Sequence, residues 1–362
     1  MPYDSHRIEC MQMSENDLPL YPLRFKPIYK QKVWGGRRLD VSGRQLPGDS
    51  SMRIGESWEL VDLGQTSSTG CGDAERSEVA NGPLAGVTLH EVMHRFGPRL
   101  MGNLTPTKAG DFPLLVKYLD AAENLSLQVH PSPAYAEEHR EAHLKSEAWY
   151  IIEAEPDAVI YKGVQPGVQP AQFRDAIASG DVESVVAMMA TTPAKPGDCH
   201  YLPSGTCHAL GAGVLVAEVQ TPSDTTFRVF DWGRTGRELH VEQAMQCIEF
   251  GPLDVESYEK RSHVAGIFTT LSRLITCEHF RIEKVRMSEG YEQEMPYNQP
   301  AVWMVLEGGG RIAPGNGAED VTFERGDTML VPADMNDAKV ALTRDTVWLD
   351  ITFPQAMPQQ IA

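Results

Sequence analysis

Short apolar segments rich in β-branched and aromatic residues recur along most of the chain, and glycine or proline bounds most of them. The segments are KVWGG, GESWELVDL, DFPLLVKYLDA, SLQVH, AWYIIEA, DAVIYKGV, GVLVAEVQ, TFRVFDW, FRIEKVRM, AVWMVLEG and TMLVPA. Many short strands separated by turn residues are typical of an all-β sandwich or barrel. We therefore expect a mainly β protein.

Three helical patterns interrupt the strands. GVTLHEVMHRFGPRLMG predicts a helix capped by Thr88, because four apolar residues follow at helical spacing. Those residues are Leu89, Val92, Met93 and Phe96. A second helix is expected to start at Ser132, with Pro133 at its first position. Residues 170–193 predict one helix or two, split near Ser179 and Gly180.

An internal repeat relates the two halves of the chain. PGDCHYLPSGTCHAL (196–210) aligns with RGDTMLVPADMNDAK (325–339), and EAWYIIEAE (147–155) aligns with AVWMVLEGG (301–309). The offset is 154 residues at Trp149 and Trp303 but 129 at Gly197 and Gly326. The repeat predicts two related β units. Ala301 and Asp337 stand in the second unit where Glu147 and His208 stand in the first.

Length and charge narrow the class of protein. A chain of 362 residues favours two domains, and 41% hydrophobic with 23% charged residues is ordinary for a globular protein. The net charge of 32 − 50 = −18 argues against nucleic acid or an anionic membrane as a partner. An anionic small substrate stays possible, because a local cluster of Lys and Arg can reverse the potential inside a cleft.

The first twenty residues and the cysteines bear on the compartment. Residues 1–20 contain no apolar segment of signal-peptide length, and we expect a loosely attached lead-in there. The six cysteines are scattered and form no CxxC pair. A reduced, cytoplasmic protein is the simplest interpretation.

Four polar residues form a candidate metal site. Gln128 and His130 lie two residues apart in a predicted strand, so their side chains point to the same face. Glu147 begins another strand, and His208 follows a Pro-Ser-Gly turn. Two imidazoles, a carboxylate and an amide oxygen suit a borderline divalent cation. Zinc is the first choice, with iron and manganese as alternatives.

The segment before His208 resembles a known motif. GDCHYLPSGTCH fits the pattern G-x5-P-x-G-x2-H, which is similar to the second motif of the cupins, small β-barrels that present a metal-binding His on a hairpin. Gln128 stands where the first cupin motif has a His. A predicted helical insertion of about four turns separates His130 from Glu147. In both of these differences from the usual cupin pattern, the chain resembles the type I phosphomannose isomerases, in their shorter bacterial branch.

The resemblance covers most of the chain after residue 20 and carries site residues with it. It implies one zinc ion per chain, held by Gln128, His130, Glu147 and His208. It implies catalytic roles for Lys145, Asp224 and Arg228, and a substrate pocket that includes Trp34, Glu56 and Ser126. Lys117, within PLLVKYLDA, is a further candidate for contact with the substrate phosphate.

The implied activity is the interconversion of mannose 6-phosphate and fructose 6-phosphate through an enediol(ate). Asp224, Glu56, Lys145 and water on the metal are all candidates for the base. The alternatives are an iron-dependent cupin oxygenase, against which Gln128 counts, and a non-catalytic sugar-binding cupin. The implied fold is two cupin-like jelly-roll barrels, a catalytic one with helical insertions at 21–262 and a degenerate, metal-free one at 263–362.

Overall fold

The structure is a computed structural model that describes residues 18–40, 44–67, 74–295, 297–335 and 337–354. The predicted lead-in lies outside the described residues as far as position 17, and Leu20 at its end is buried in the core. The described parts contain 24 strands and six α-helices, so the mainly β class is confirmed.

The described ranges between residues 18 and 261, called the first half below, contain fourteen strands and six α-helices. Its strands are β1 (Leu23–Arg24), β2 (Ile28–Gly36), β3 (Ile54–Leu60), β4 (Asp62–Leu63), β5 (Glu75–Arg76), β6 (Leu115–Ala121), β7 (Leu127–Val129), β8 (Glu147–Ala154), β9 (Val159–Val164), β10 (Met189–Pro193), β11 (Cys199–Leu202), β12 (His208–Leu210), β13 (Val214–Gln220) and β14 (Phe227–Phe230). The helices are α1 (Leu89–Phe96), α2 (Pro98–Met101), α3 (Pro133–Glu138), α4 (Pro170–Ser179), α5 (Val182–Ala187) and α6 (Val241–Cys247).

The described ranges between residues 262 and 354, called the second half below, contain ten strands. They are β15 (Ser262–Ala265), β16 (Thr269–Thr276), β17 (Arg281–Met287), β18 (Glu292–Glu294), β19 (Ala301–Glu307), β20 (Gly309–Ala313), β21 (Val321–Glu324), β22 (Thr328–Val331), β23 (Lys339–Leu342) and β24 (Thr346–Thr352).

Each half is built from two facing antiparallel sheets. In the first half, six strands run in the order β11-β8-β13-β6-β2-β3 and five in the order β10-β9-β12-β7-β14. In the second half, the orders are β1-β22-β19-β24-β17-β16-β15 and β18-β23-β20-β21. The small pair β4-β5 lies apart from these four sheets. The predicted fold of two cupin-like jelly-roll barrels, with helical insertions in the first, is confirmed. The limits of the two domains stay a prediction, since β1 joins the sheet of the second half.

Two central strands are buried on both faces. Trp149 of β8 points between the two sheets of the first half, while its neighbour Tyr150 faces the core between the halves. On β19, Trp303 likewise lies between the sheets of the second half, and Met304 faces the same shared core. The period of two along each strand therefore places one side chain inside its own barrel and the next against the other barrel.

The strand register supports the internal repeat. Glu147 pairs with Leu202 and Trp149 with His200, and the equivalent positions Ala301 and Trp303 pair with Val331 and Met329. The prediction of two related β units is confirmed. The two offsets differ by 25 residues because α4 and α5 lie between the aligned strands of the first half, whereas the short strands β20 and β21 lie between those of the second.

Most of the helix predictions are confirmed. The Thr88 hydroxyl accepts a hydrogen bond from the Glu91 amide at 3.3 Å at the start of α1, and the four predicted apolar side chains are buried. Gly180 ends α4 at a φ of 71°, and Asp181 caps α5, so the third pattern is two helices. No helix in the described ranges is both long enough and apolar enough to cross a membrane.

The predicted length of the helix after Ser132 is wrong. Ser132 and Pro133 start α3 as expected, but the helix ends at Glu138 instead of continuing for about four turns. None of its side chains is buried, so no apolar face stabilises a longer helix. Beyond α3, the backbone forms a hydrogen bond to a distant side chain in place of a helical one, since the His143 amide donates to the Thr225 hydroxyl at 3.1 Å.

Candidate metal centre and substrate cavity

The four predicted ligands come from strands of both sheets of the first half. Gln128 lies in β7, and His130 directly follows that strand. His208 begins β12, which pairs with β7 so that His208 lies opposite Gln128. Glu147 begins β8 in the facing sheet. The four side chains therefore meet between the two sheets, where Glu147, His130 and His208 are at most 1% exposed.

The side-chain atoms approach one another closely. His130 Nε2 lies 3.3 Å from Glu147 Oε2, and His208 Nε2 lies 3.2 Å from Glu147 Oε1. The Gln128 amide lies 3.4 Å from His208 Nε2. The ligand atoms of the two histidines and the glutamate all lie within 4.8 Å of one another. These separations allow one ion to contact all of them.

Backbone carbonyls orient both imidazoles. His130 Nδ1 lies 3.0 Å from the Thr225 carbonyl, and His208 Nδ1 lies 2.8 Å from the Thr206 carbonyl. Because a carbonyl oxygen only accepts, each Nδ1 carries the proton and each Nε2 presents a lone pair to the centre. His130 Nε2 and Glu147 Oε1 are buried without a hydrogen-bond partner in the described structure. Buried atoms of this kind fit the ligands of a cation.

Lys145 sets the charge beside this centre. Its ammonium lies 2.8 Å from Glu147 Oε2. Burial alone would raise the pKa of Glu147, but Lys145 and His130 hold that pKa well below its usual value. Burial, followed by Lys145, lowers the pKa of His130 to about 3. The carboxylate is therefore ionised and the imidazole neutral at pH 7.

A cavity of about 330 Å³ opens beside the centre. Gln128 lines this cavity together with all the residues predicted to be catalytic or to bind substrate: Trp34, Glu56, Lys117, Ser126, Lys145, Asp224 and Arg228. The charged side chains of the lining are five cations, Lys32, Lys117, Lys145, Arg228 and Arg237, against three carboxylates, Glu56, Glu218 and Asp224. The lining itself therefore has two more cations than carboxylates in a chain of net charge −18, a balance that favours an anionic ligand.

Glu56 is held by two ammonium groups and one indole. Its carboxylate lies 3.1 Å from Lys32 and 3.8 Å from Lys117, and it accepts a 2.6 Å hydrogen bond from the Trp58 indole. Burial would raise the pKa of Glu56, but Lys32 and Lys117 lower it to about 2. Glu56 is therefore a weak base whose two oxygens are already engaged.

We predict that this network makes the stability of the fold sensitive to acid. A pKa of about 2 against the ordinary 4.5 contributes about 3 kcal/mol, which is fully present above pH 4.5 and is lost as the pH falls toward 2. In metal-free protein, the free energy of unfolding of the parent should therefore fall more steeply with acid than that of Glu56→Gln. Denaturant titrations across this range would measure the difference, and parallel curves for the two proteins would contradict the assignment.

Asp224 and Arg228 both line the cavity. Asp224 Oδ1 accepts a 3.1 Å hydrogen bond from the Ser67 amide, and Oδ2 is buried with no hydrogen-bond partner in the described structure. Burial raises the pKa of Asp224, although the Ser67 amide opposes the shift. Arg228 donates to the Glu238 carbonyl at 2.8 Å, which fixes its guanidinium against the cavity wall.

Several wall residues were not among the sequence predictions. Glu218 lies opposite Trp149 and Lys117 in the sheet, accepts from the Trp149 indole at 2.9 Å and contacts Lys117 at 3.2 Å. The sequence did contain a signal for Glu218, because a glutamate inside the apolar strand GVLVAEVQ needs a buried partner. Lys32 and Trp58 carry no such signal, since their place in the wall depends on strand register, and Arg237 lies in the loop between β14 and α6.

Comparison with known proteins gives a consistent result. Residues 23–160 match the family described as phosphomannose isomerase type I, catalytic domain. The chain is 34% identical to mannose-6-phosphate isomerase ManA of Bacillus subtilis, over 88% of this chain and 95% of that protein. It is 35% identical to the mannose-6-phosphate isomerase of Streptococcus mutans, over 86% and 92%. The crystal structure of the Bacillus subtilis mannose 6-phosphate isomerase has a TM-score of 0.77 at 31% identity, covering 92% of this chain and 99% of that one.

Proposed function

Since this chain belongs to the type I phosphomannose isomerase family, we propose that it interconverts mannose 6-phosphate and fructose 6-phosphate. The observation that carries the proposal is the meeting of Gln128, His130, Glu147 and His208 beside a cavity whose lining has more cations than carboxylates. A sugar phosphate needs both features, a cation beside its reacting oxygens and an electropositive cleft for its phosphate.

The four side chains fit a bound divalent metal. Two neutral imidazoles, a carboxylate and an amide oxygen are the donor set of a borderline cation, and we assign zinc to it. Both imidazoles are oriented by carbonyls, as ligating histidines usually are. When bound, the ion supplies positive charge beside the sugar oxygens. Analysis of metal content would show iron or manganese if either is the resident ion.

Asp224 is the residue we assign as the base. Its Oδ2 is buried with no hydrogen-bond partner in the described structure, so a lone pair is free to take a proton. The raised pKa of Asp224 brings its basicity closer to neutral pH, which favours general-base catalysis. Glu56 is less suited, because Lys32, Lys117 and Trp58 already hold its oxygens.

The proton transfer can be followed atom by atom. In the direction from mannose 6-phosphate, Asp224 takes the proton from C2, which gives an enediolate with its negative charge on O1. The proton of the O2 hydroxyl then passes to O1, Asp224 returns its proton to C1, and O2 becomes the carbonyl oxygen of the ketose. The intermediate carries negative charge on its oxygens, and Lys145 and Arg228 supply fixed positive charge on the cavity wall to stabilise it.

We assign the phosphate dianion to the cations of the cavity wall that stay most exposed. Lys117 is largely neutralised, because Glu218 lies 3.2 Å and Glu56 3.8 Å from its ammonium. Lys32 and Arg237 also have carboxylate partners but keep 20% and 24% of their side chains exposed, so they can reach an incoming anion. We therefore assign the phosphate to the Lys32 and Arg237 part of the cavity, with Lys117 behind it.

The test is turnover of mannose 6-phosphate by the purified, metal-replete chain, with the fructose 6-phosphate formed measured in a coupled assay. We expect activity that a chelator abolishes and that added zinc restores, with much slower turnover of unphosphorylated mannose. A folded, zinc-loaded chain that converts no hexose phosphate would contradict the proposal. So would oxygen consumption by the iron-loaded chain in place of isomerisation.

A further inference from the structure

A second group of imidazoles and carboxylates lies at helix α1, which carries the two histidines, and none of its members lines the substrate cavity. His90 and His94 are four residues apart, so their side chains lie on the same face of the helix. Their Nε2 atoms are 3.0 Å apart, and their rings meet edge to face with centroids 4.5 Å apart. Two histidines at this spacing are a recurrent metal-binding pair on helices.

The other nitrogen of His90 faces two carboxylates. His90 Nδ1 lies 3.1 Å from Asp62 Oδ2 and 3.6 Å from Asp111 Oδ1. Because a carboxylate only accepts, Nδ1 carries the proton, and the lone pair of Nε2 points toward His94. A carboxylate behind an imidazole is the arrangement that fixes the tautomer of metal-binding histidines and makes them more basic ligands.

The carboxylates themselves already have a cation. Arg76 Nε lies 3.2 Å from Asp62 Oδ1, and its guanidinium lies 3.9 Å from Asp111. The Phe112 amide donates to Asp62 Oδ2 at 3.1 Å. A metal ion between Asp62 and Asp111 would have to displace the guanidinium. The Nε2 side of His90, which faces His94, is therefore the better position for an ion.

We propose that His90 and His94 bind a second borderline divalent cation through their Nε2 atoms, with Asp62 and Asp111 as the carboxylates behind His90. Two nitrogens about 2.1 Å from one ion, at an angle of roughly 90–109°, lie about 3.0–3.4 Å apart, and the observed 3.0 Å falls at the edge of this range. His94 is exposed and borders a separate cavity of about 270 Å³, which leaves room for water to complete the coordination. Imidazole ligands select Zn²⁺, Ni²⁺ or Cu²⁺ over Mg²⁺ or Ca²⁺.

The experiment is equilibrium dialysis of the chelator-stripped, untagged chain against Zn²⁺ alone, with bound metal measured by elemental analysis. We expect two equivalents per chain for the parent and one for His94→Gln. Glu147→Ala should also bind one, and the double variant none. Asp62→Asn should weaken the second site about 10- to 100-fold. In the Glu147→Ala background, Zn²⁺ should raise the melting temperature only while His94 is present.

His263→Gln is the matched control. His263 lies on β15 in the other half of the chain and contacts the Ser272 hydroxyl at 2.8 Å, so its loss should leave both equivalents unchanged. The loss of one zinc equivalent between the parent and His94→Gln is expected whether or not Gln128, His130, Glu147 and His208 bind zinc. The two proposed sites are therefore tested separately. Equal zinc binding by the parent, His90→Gln and His94→Gln would overturn the proposal and leave a simple hydrogen bond between the two rings.

Discussion

Replacing Glu147 with alanine is expected to release the bound metal and to lower kcat/KM for mannose 6-phosphate by on the order of 10³-fold or more. Glu147 is the only anionic member of the four proposed ligands and contacts both histidines. A metal ion beside reacting oxygens supplies several kcal/mol of transition-state stabilisation, and each 1.36 kcal/mol is a factor of ten in rate. Metal analysis of unchelated protein and initial rates would measure both effects.

Two further variants separate loss of the ligand from loss of the fold. Glu147→Gln keeps the side-chain volume while removing the charge, and it should also lose most of the metal and activity. Glu153→Ala changes a half-exposed glutamate on the same strand and should behave like the parent. An alanine variant at Glu147 that is folded, retains its metal and turns over normally would refute the assignment of this residue as a ligand.

Asp224→Asn is expected to lower kcat about 10²- to 10⁴-fold while leaving the metal content unchanged. A rate loss in this range is usual when a general base is removed. Asparagine keeps the shape of the side chain and the oxygen that accepts from the Ser67 amide. The acid limb of the parent's pH–rate profile should disappear from the residual activity of the variant. Steady-state kinetics across pH, with metal analysis of the same samples, would test this.

Asp198→Asn is the matched control for this prediction. Asp198 is a partly exposed aspartate that pairs with Arg261 at 2.9 Å and does not line the cavity. It should retain full activity. If Asp224→Asn also kept kcat within a few-fold of the parent, the proton would have to move through another group, and Lys145 would be the next candidate to test.

Much of the fold follows from local sequence signals. Thr88, Ser132 with Pro133, and Gly180 each mark a helix boundary that the structure reproduces. The two aligned Trp-bearing segments become β8 and β19, and each pairs in the same register with the strand after its Gly-Asp turn. These features are readable because caps, turns and alternation act over a few residues.

The features that the sequence did not predict depend on long-range register. β1 is only two residues long and pairs with β22, about three hundred positions away, and no local pattern marks that partner. Lys32 enters the cavity wall because β2 pairs with β3, next to Glu56. The helix after Ser132 was predicted too long because its polar sequence has helical propensity but no core to pack against.

The proposed ligands were predictable for a different reason. Gln128 and His130 share a strand face, and the motif around His208 places that residue at the start of a strand, so each side chain has a predictable direction. Their convergence with Glu147 required the two sheets to face each other, which the fold provides. Their role as ligands stays a prediction until an ion is located.

Anomalous diffraction from crystals of unchelated protein, collected on both sides of the zinc absorption edge, tests the central claim most directly. We predict a single strong zinc peak in the first-half barrel, within bonding distance of Gln128, His130, Glu147 and His208. A weaker peak between His90 and His94 is compatible with this result. Active protein whose crystals show no anomalous peak among the four side chains would contradict the account.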